Sequence, residues 1–315
     1  MFLDPPAFVL GANLPWGRYG CDFGANAWQP AGGLAAAAPE GLEDTFATLK
    51  SAGVGIVRWF LFCDGRAGIL VDPDGGPAGV DAFVYPDLDA ALDLATRFDV
   101  RVVFSLFDFL WCGRVEHDHG VQMKGRRRIL ARAPSRTALI NRVVAPLVRR
   151  YGTHDAIAAW EIINEPEWST FGTGTIDPRY AISRRAMRGF IEDAAAVVHA
   201  NAQQPVTVGS AHASWLNLVK GTGLDFYQVH WYDRLDPRLP LTTPVSEFDL
   251  DRPIVLGELP TRGSAWRVDD VIETARRMGY AGAWVWSLRA DDDASDRARA
   301  LAALRLTRGG AGTPT

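Results

Sequence analysis

Lysine is almost missing from this chain. It fills only Lys50, Lys124 and Lys220 among 33 basic residues, the rest being arginine. Against 37 acidic residues the formal charge is −4, and that balance gives no reason to expect nucleic acid as a partner. Long apolar runs are missing too. None reaches the roughly 18 residues a membrane-spanning helix needs, so no membrane partner is expected. Cysteine is scarce and odd in number: Cys21, Cys63 and Cys112. In a chain of 315 residues that argues against a disulfide scaffold and for a reducing compartment. The start, MFLDPPAFVLGANLPW, has no basic opening, and Asp4-Pro5-Pro6 interrupts its apolar stretch. It does not read as a signal peptide. The expectation is a cytoplasmic protein, or a secreted one whose leader has been lost. No stretch rich in Pro, Gly or Ser divides the chain. One domain over residues 1–315 is expected, with a frayed tail at about 306–315 (TRGGAGTPT).

What is present is an alternation. Short apolar runs read as strands at Ala7–Asn13, Gly55–Phe60, Val100–Phe107, Ala158–Asn164, Pro205–Ser210, Asp225–Tyr232, Pro253–Glu258 and Gly282–Leu288. Amphipathic segments fall between most of them. Leu42, Phe46 and Leu49 share one helical face, with Gly53 as a stop. Further helices are expected near Asp87–Phe98, Ser135–Tyr151, Tyr180–Ala200, Val268–Met278 and Asp293–Leu304. Strands that are apolar on both faces belong under helices on one side and a barrel interior on the other. Eight such units in about 300 residues argue for an α/β protein, a closed (β/α)8 TIM barrel.

In such a barrel the site lies at the C-terminal ends of the strands. Arg58, Asp108, Asn164, Glu165, His230, Tyr232, Glu258 and Trp286 all fall there. Glu165 follows a buried run, AAWEIIN, and taken alone is better explained as a salt-bridge partner. Glu258 changes the balance, because it would face Glu165 across the same mouth. Two carboxyls at a barrel mouth suit cleavage of a glycosidic bond. One gives a proton to the leaving oxygen; the other, ionised, attacks the anomeric carbon or activates water. The ionised member raises the pKa of its neighbour, so the pair shares one proton.

The INEP ending the fourth strand, GE ending the seventh and WVWS on the eighth resemble clan A retaining glycoside hydrolases, nearest to family 5 with its cellulases and mannanases. The likeness runs from GANLPW to WVWSL. It implies a retaining β-glycosidase for β-linked gluco- or manno-configured oligosaccharides, acting by double displacement through a covalent glycosyl-enzyme, with no cofactor. It also implies roles. Glu165 is the acid/base and Glu258 the nucleophile. Asn164 holds the sugar 2-hydroxyl. Arg58 lowers the pKa of Glu258, and Trp286 stacks on the reacting sugar. His230 and Tyr232 bond the nucleophile or the sugar, although only one of the two is expected to point inward. Family 5 members often carry His at the third strand end. Phe107-Asp108 departs from that and is closer to the ending of some mannanases. A non-catalytic carbohydrate-binding barrel and an endo-acting β-mannanase or β-glucanase are the alternatives.

Trp16, Trp111 and Trp168 lie in loops beyond the strands, where indole faces suit pyranose rings, with loop anchoring as the plain alternative. The segment Leu110–Pro134, with Trp111 at its root, is long enough to wall the cleft into a pocket for short chains. The three cysteines and His117 and His119 match no metal-ligand spacing, so no metal site is expected.

Overall fold

The computed structural model describes residues 8–235 and 241–309. In chain order its elements are β1 (Val9–Asn13), α1 (Leu42–Ala52), β2 (Ile56–Phe60), a hairpin of β3 (Ile69–Val71) and β4 (Pro77–Val80), α2 (Val84–Arg97) and β5 (Arg101–Asp108). A second hairpin follows, β6 (Glu116–Asp118) with β7 (Val121–Met123). Then come α3 (Arg127–Ala131), α4 (Ala133–Leu139), α5 (Ala145–Tyr151), β8 (Ile157–Asn164), α6 (Arg184–Asn201), β9 (Val206–Ser210) and β10 (Tyr227–His230). The chain closes with β11 (Ile254–Pro260), α7 (Val268–Arg277), β12 (Gly282–Trp286) and α8 (Arg297–Gly309).

Eight of these strands form one closed parallel barrel in the order β1-β12-β11-β10-β9-β8-β5-β2. The eight are those read from the sequence, with limits that differ by no more than two residues at either end. The floor of the barrel is apolar: Ile56, Val103, Ala158, Ala159, Phe226, Val255 and Trp284 pack together there. Trp284 fills the space left by Gly11, where a Cβ would come within 2.4 Å of the indole. The outward faces of the strands join the helices in a second, larger apolar layer. In α1, Leu42, Phe46 and Leu49 are buried, and Gly53 ends the helix at φ 72°, its N–H bonding back to Leu49 and Lys50.

Several helix limits differ from the sequence reading. The fourth helix starts at Arg184 and not near Tyr180, because Ser183 caps it by accepting from the Ala186 N–H. The last helix starts at Arg297 and not at Asp293. Asp296 accepts from the Arg299 N–H there, and Asp292 is drawn away to the Trp286 indole. It continues through Gly309, so residues 306–309 of the expected tail are helical. Residues 310–315, and Ala7 of the first expected strand, lie outside the described residues. Between α4 and α5 the helix runs on through one wide i→i+5 turn, Ile140–Val144.

Candidate active site

Sequence spacing puts Glu161 and Asn164 on opposite faces of β8, since they are three residues apart. The structure puts both on the barrel axis. The register between β8 and β9 shifts between Glu161 and Asn164, and an extra residue in a strand turns the following side chain to the other face. Glu165 then leaves the strand with φ 45° and ψ 51°, the left-handed region. Its N–H is tied to the Gly209 carbonyl at 2.6 Å, and a short 3-10 turn, Pro166–Ser169, follows.

Arg58 lies beneath this mouth and is fully buried. Its Nε and Nη2 donate to the two oxygens of Glu161, each at 2.6 Å. Nη2 also donates to Asn164 Oδ1, and Nη1 donates to Glu258 Oε1 at 2.7 Å and to Asn13 Oδ1 at 3.0 Å. Ser105 and Gln228 donate to Glu161 as well. Burial alone would push Glu161 up, but Arg58 and these donors hold it below the usual carboxylate range. Gln228 leaves its own Oε1 buried without a partner. Gly209 makes the space: a Cβ there would come within 2.9 Å of Arg58 Nη2 and 3.0 Å of His230 Nε2.

Above the platform, oxygens of Glu165 and Glu258 and a ring nitrogen of His230 lie within 4.8 Å of one another. His230 Nδ1 is 2.8 Å from Glu165 Oε1 and 3.4 Å from Glu258 Oε1. Tyr232 donates to Glu258 Oε2 at 2.7 Å. Both His230 and Tyr232 therefore point inward. The expectation that only one could do so is corrected: residues two apart share a strand face. Burial raises the Glu258 pKa, and Glu165 adds to the rise; His230 and Arg58 pull it down without cancelling it. The expected lowering by Arg58 is present but outweighed by burial. Burial works against charge on His230, yet the two glutamates raise its pKa above the usual value. Arg58 already places one positive charge against Glu258 Oε1.

Asp108 accepts from Asn164 Nδ2 at 2.7 Å through one oxygen and from the Leu110 N–H through the other. Burial, and behind it the Glu165 carboxylate, push its pKa up to about 7. Asn164 thus has one orientation, its oxygen toward Arg58 and its amide nitrogen toward Asp108. The mouth opens into a cavity of about 410 Å³ lined by Trp16, Tyr19, Asp108, Asn164, Trp168 and Trp286 among others. Trp286 is held by its indole N–H on Asp292, and Trp16 meets it edge-on with centroids 6.2 Å apart.

Trp111 is not there. It is fully buried, packed edge-on against Phe107, with Nε1 donating to the Phe62 carbonyl. The 3-10 turn Phe109–Cys112 carries it beneath the loop. Of the segment expected to wall the cleft, Leu110 lines this cavity, while Cys112, Gly113, Arg114, Glu116 and Lys124 line an adjoining one of about 210 Å³; the remainder folds into the β6–β7 hairpin, α3 and the start of α4. Trp168 lines the cavity and donates to Glu165 Oε2 at 2.9 Å. The cysteines are all buried and free. Burial raises the Cys63 thiol well above its usual value and the Cys112 thiol to about 12. His117 and His119 sit exposed on the β6–β7 hairpin. Sequence reasoning missed Glu161, Gln228, Ser105 and Asn13. The available signal was a lone acid, Glu161, inside an otherwise apolar strand.

No family model matches the chain. A mannan endo-1,4-beta-mannosidase of Mytilus edulis is 26% identical over 337 aligned residues, which cover 95% of this chain and 88% of that protein. The crystal structure of an endo-1,4-beta-mannanase from Eisenia fetida superposes with a TM-score of 0.77 at 25% identity, over 96% of this chain and 91% of that one. A glycoside hydrolase family 5 mannosidase from Rhizomucor miehei superposes with a TM-score of 0.58 over 90% and 81% of the two chains. Its 14% identity speaks for the fold.

Proposed function

We propose that this chain, a glycoside hydrolase of the clan A, family 5 type, is a retaining β-mannanase that cuts within β-1,4-linked mannose chains. The observation that carries the reading is the carboxylate pair. Oxygens of Glu165 and Glu258 lie within 4.8 Å, the close spacing of a retaining pair, whereas an inverting pair stands about 6.5–9.5 Å apart to admit a water beside the sugar. Glu258 attacks the anomeric carbon while Glu165 gives its proton to the departing glycosidic oxygen. The C–O bond to the leaving chain breaks and an ester to Glu258 forms. Water then gives a proton back to Glu165 and displaces Glu258 by attack on the opposite face, the one the leaving chain vacated. Tyr232 and Arg58 hold the nucleophile's two oxygens, which fixes the direction of attack. Asn164, fixed between Arg58 and Asp108, has one amide hydrogen left for the sugar 2-hydroxyl.

Two observations favour internal cleavage over trimming of short chains. The segment 110–134 borders a second cavity of about 210 Å³ that meets the first at Leu110 and Trp168, which gives room for further sugar units, and the similar proteins of Mytilus and Eisenia are both named as endo-acting. Soluble mannan, watched over time, separates the two modes. A rapid fall in viscosity with a ladder of mixed oligosaccharides supports this reading; steady release of one small sugar would replace it with an exo-acting pocket. Proton NMR should show the β-anomer first, and Glu258→Ala should abolish turnover. An initial α-anomer would sink the retaining mechanism.

A further inference from the structure

Glu167 is a fully buried carboxyl with no part in the steps above. It lies two residues past Glu165, in the 3-10 turn. Its Oε2 accepts from the Ala211 N–H at 3.0 Å, at the end of β9. Its Oε1 and the neighbouring Ser210 hydroxyl are buried without a bond in good geometry. Burial, opposed by the Ala211 N–H, pushes its pKa up to about 7. A carboxyl kept under a turn at such expense of desolvation needs a reason.

The reason is in the backbone before it. Glu165 holds a left-handed conformation that non-glycine residues avoid, and such a residue persists only when its surroundings over-determine it. Upstream, the Glu165 N–H is bound to Gly209. Downstream, the Glu167 carbonyl accepts from the Thr170 N–H and the Thr173 hydroxyl. Those bonds keep the turn compact, but they lie within the loop. Glu167's side chain joins the turn to the barrel, through Ala211. We propose that Glu167 is a positioning residue for the acid/base, its buried side chain tethering the turn to β9 so that Glu165 keeps the conformation that aims its carboxyl at the leaving oxygen. This rests on the reading of Glu165 as acid/base.

The test uses leaving groups. A misplaced acid hurts substrates whose leaving oxygen needs a proton and spares activated aryl glycosides, which need little. Glu167→Leu, which removes the acceptor, is expected to lose on the order of 10–100-fold in kcat/KM on mannotetraose and much less on dinitrophenyl β-mannoside. Glu167→Gln, which keeps an acceptor for Ala211, should recover most of the lost rate. If the leucine variant does not fold, Glu167→Asp is measured in its place: the shorter side chain should show the same selective loss. Equal loss on both substrates, no loss, or a glutamine variant as poor as the leucine would overturn the inference. Glu165→Ala runs beside them. If it lacks the leaving-group split, the acid/base assignment fails and the inference with it. If it shows the split and the Glu167 variants do not, the inference alone fails.

Discussion

A single carboxyl can make stability depend on pH in a direction opposite to the usual one. Asp108 has its pKa pushed up to about 7, against about 3.9 in an unfolded chain. Between those values the folded protein keeps a proton that the unfolded chain gives up. The stabilisation is therefore complete below about pH 4 and is lost as pH rises to about 7, on the order of 4 kcal/mol over the window. Asp108→Asn removes the titration. In urea unfolding, the stability of the variant relative to the wild type should rise steadily across that window. The amide lacks one acceptor at every pH, so the slope is the readout and not the offset; a difference independent of pH would mean that Asp108 is ionised throughout.

At the level of the strand, the end of β9 matters more than its apolar sequence suggests. Gly209 gives the space into which Arg58, His230 and Glu161 converge, and its carbonyl holds Glu165. Gly209→Ala should displace the guanidinium or the imidazole by a few tenths of an ångström or more. Activity on mannan should fall on the order of 100-fold, with a lower melting temperature, since a buried ion-pair network tolerates misfit poorly. Wild-type kinetics in this variant would show the platform to be softer than its packing. The strands themselves were legible because apolar runs alternate with helical periods, and the strand order brought Glu165 and Glu258 to one mouth. Three things were not legible. The register shift that turns Asn164 inward leaves no mark in composition, and only the INEP likeness named that residue. Trp111 turns under its loop, in an irregular segment with no period to assign a face. Glu161 and Gln228 show in sequence only as polar residues in apolar strands, and besides each other their partners come from three other strands, β2, β5 and β9.

Across the whole molecule, rate and folding free energy meet at Glu165. Its backbone, at φ 45°, costs roughly 1–2 kcal/mol that a glycine there would not. Glu165→Ala keeps the strain and loses the carboxyl; Glu165→Gly loses both. The glycine variant should melt above the alanine variant by about 2 °C, with neither turning over unactivated mannan. An alanine variant as stable as the glycine one would mean that the strain is absorbed elsewhere. If the ranking holds, a library of this protein screened by heat resistance alone would enrich inactive members, and the enrichment would begin at Glu165, the proposed acid/base. Any programme to harden the barrel has to select on sugar released after heating, not on protein that survives it.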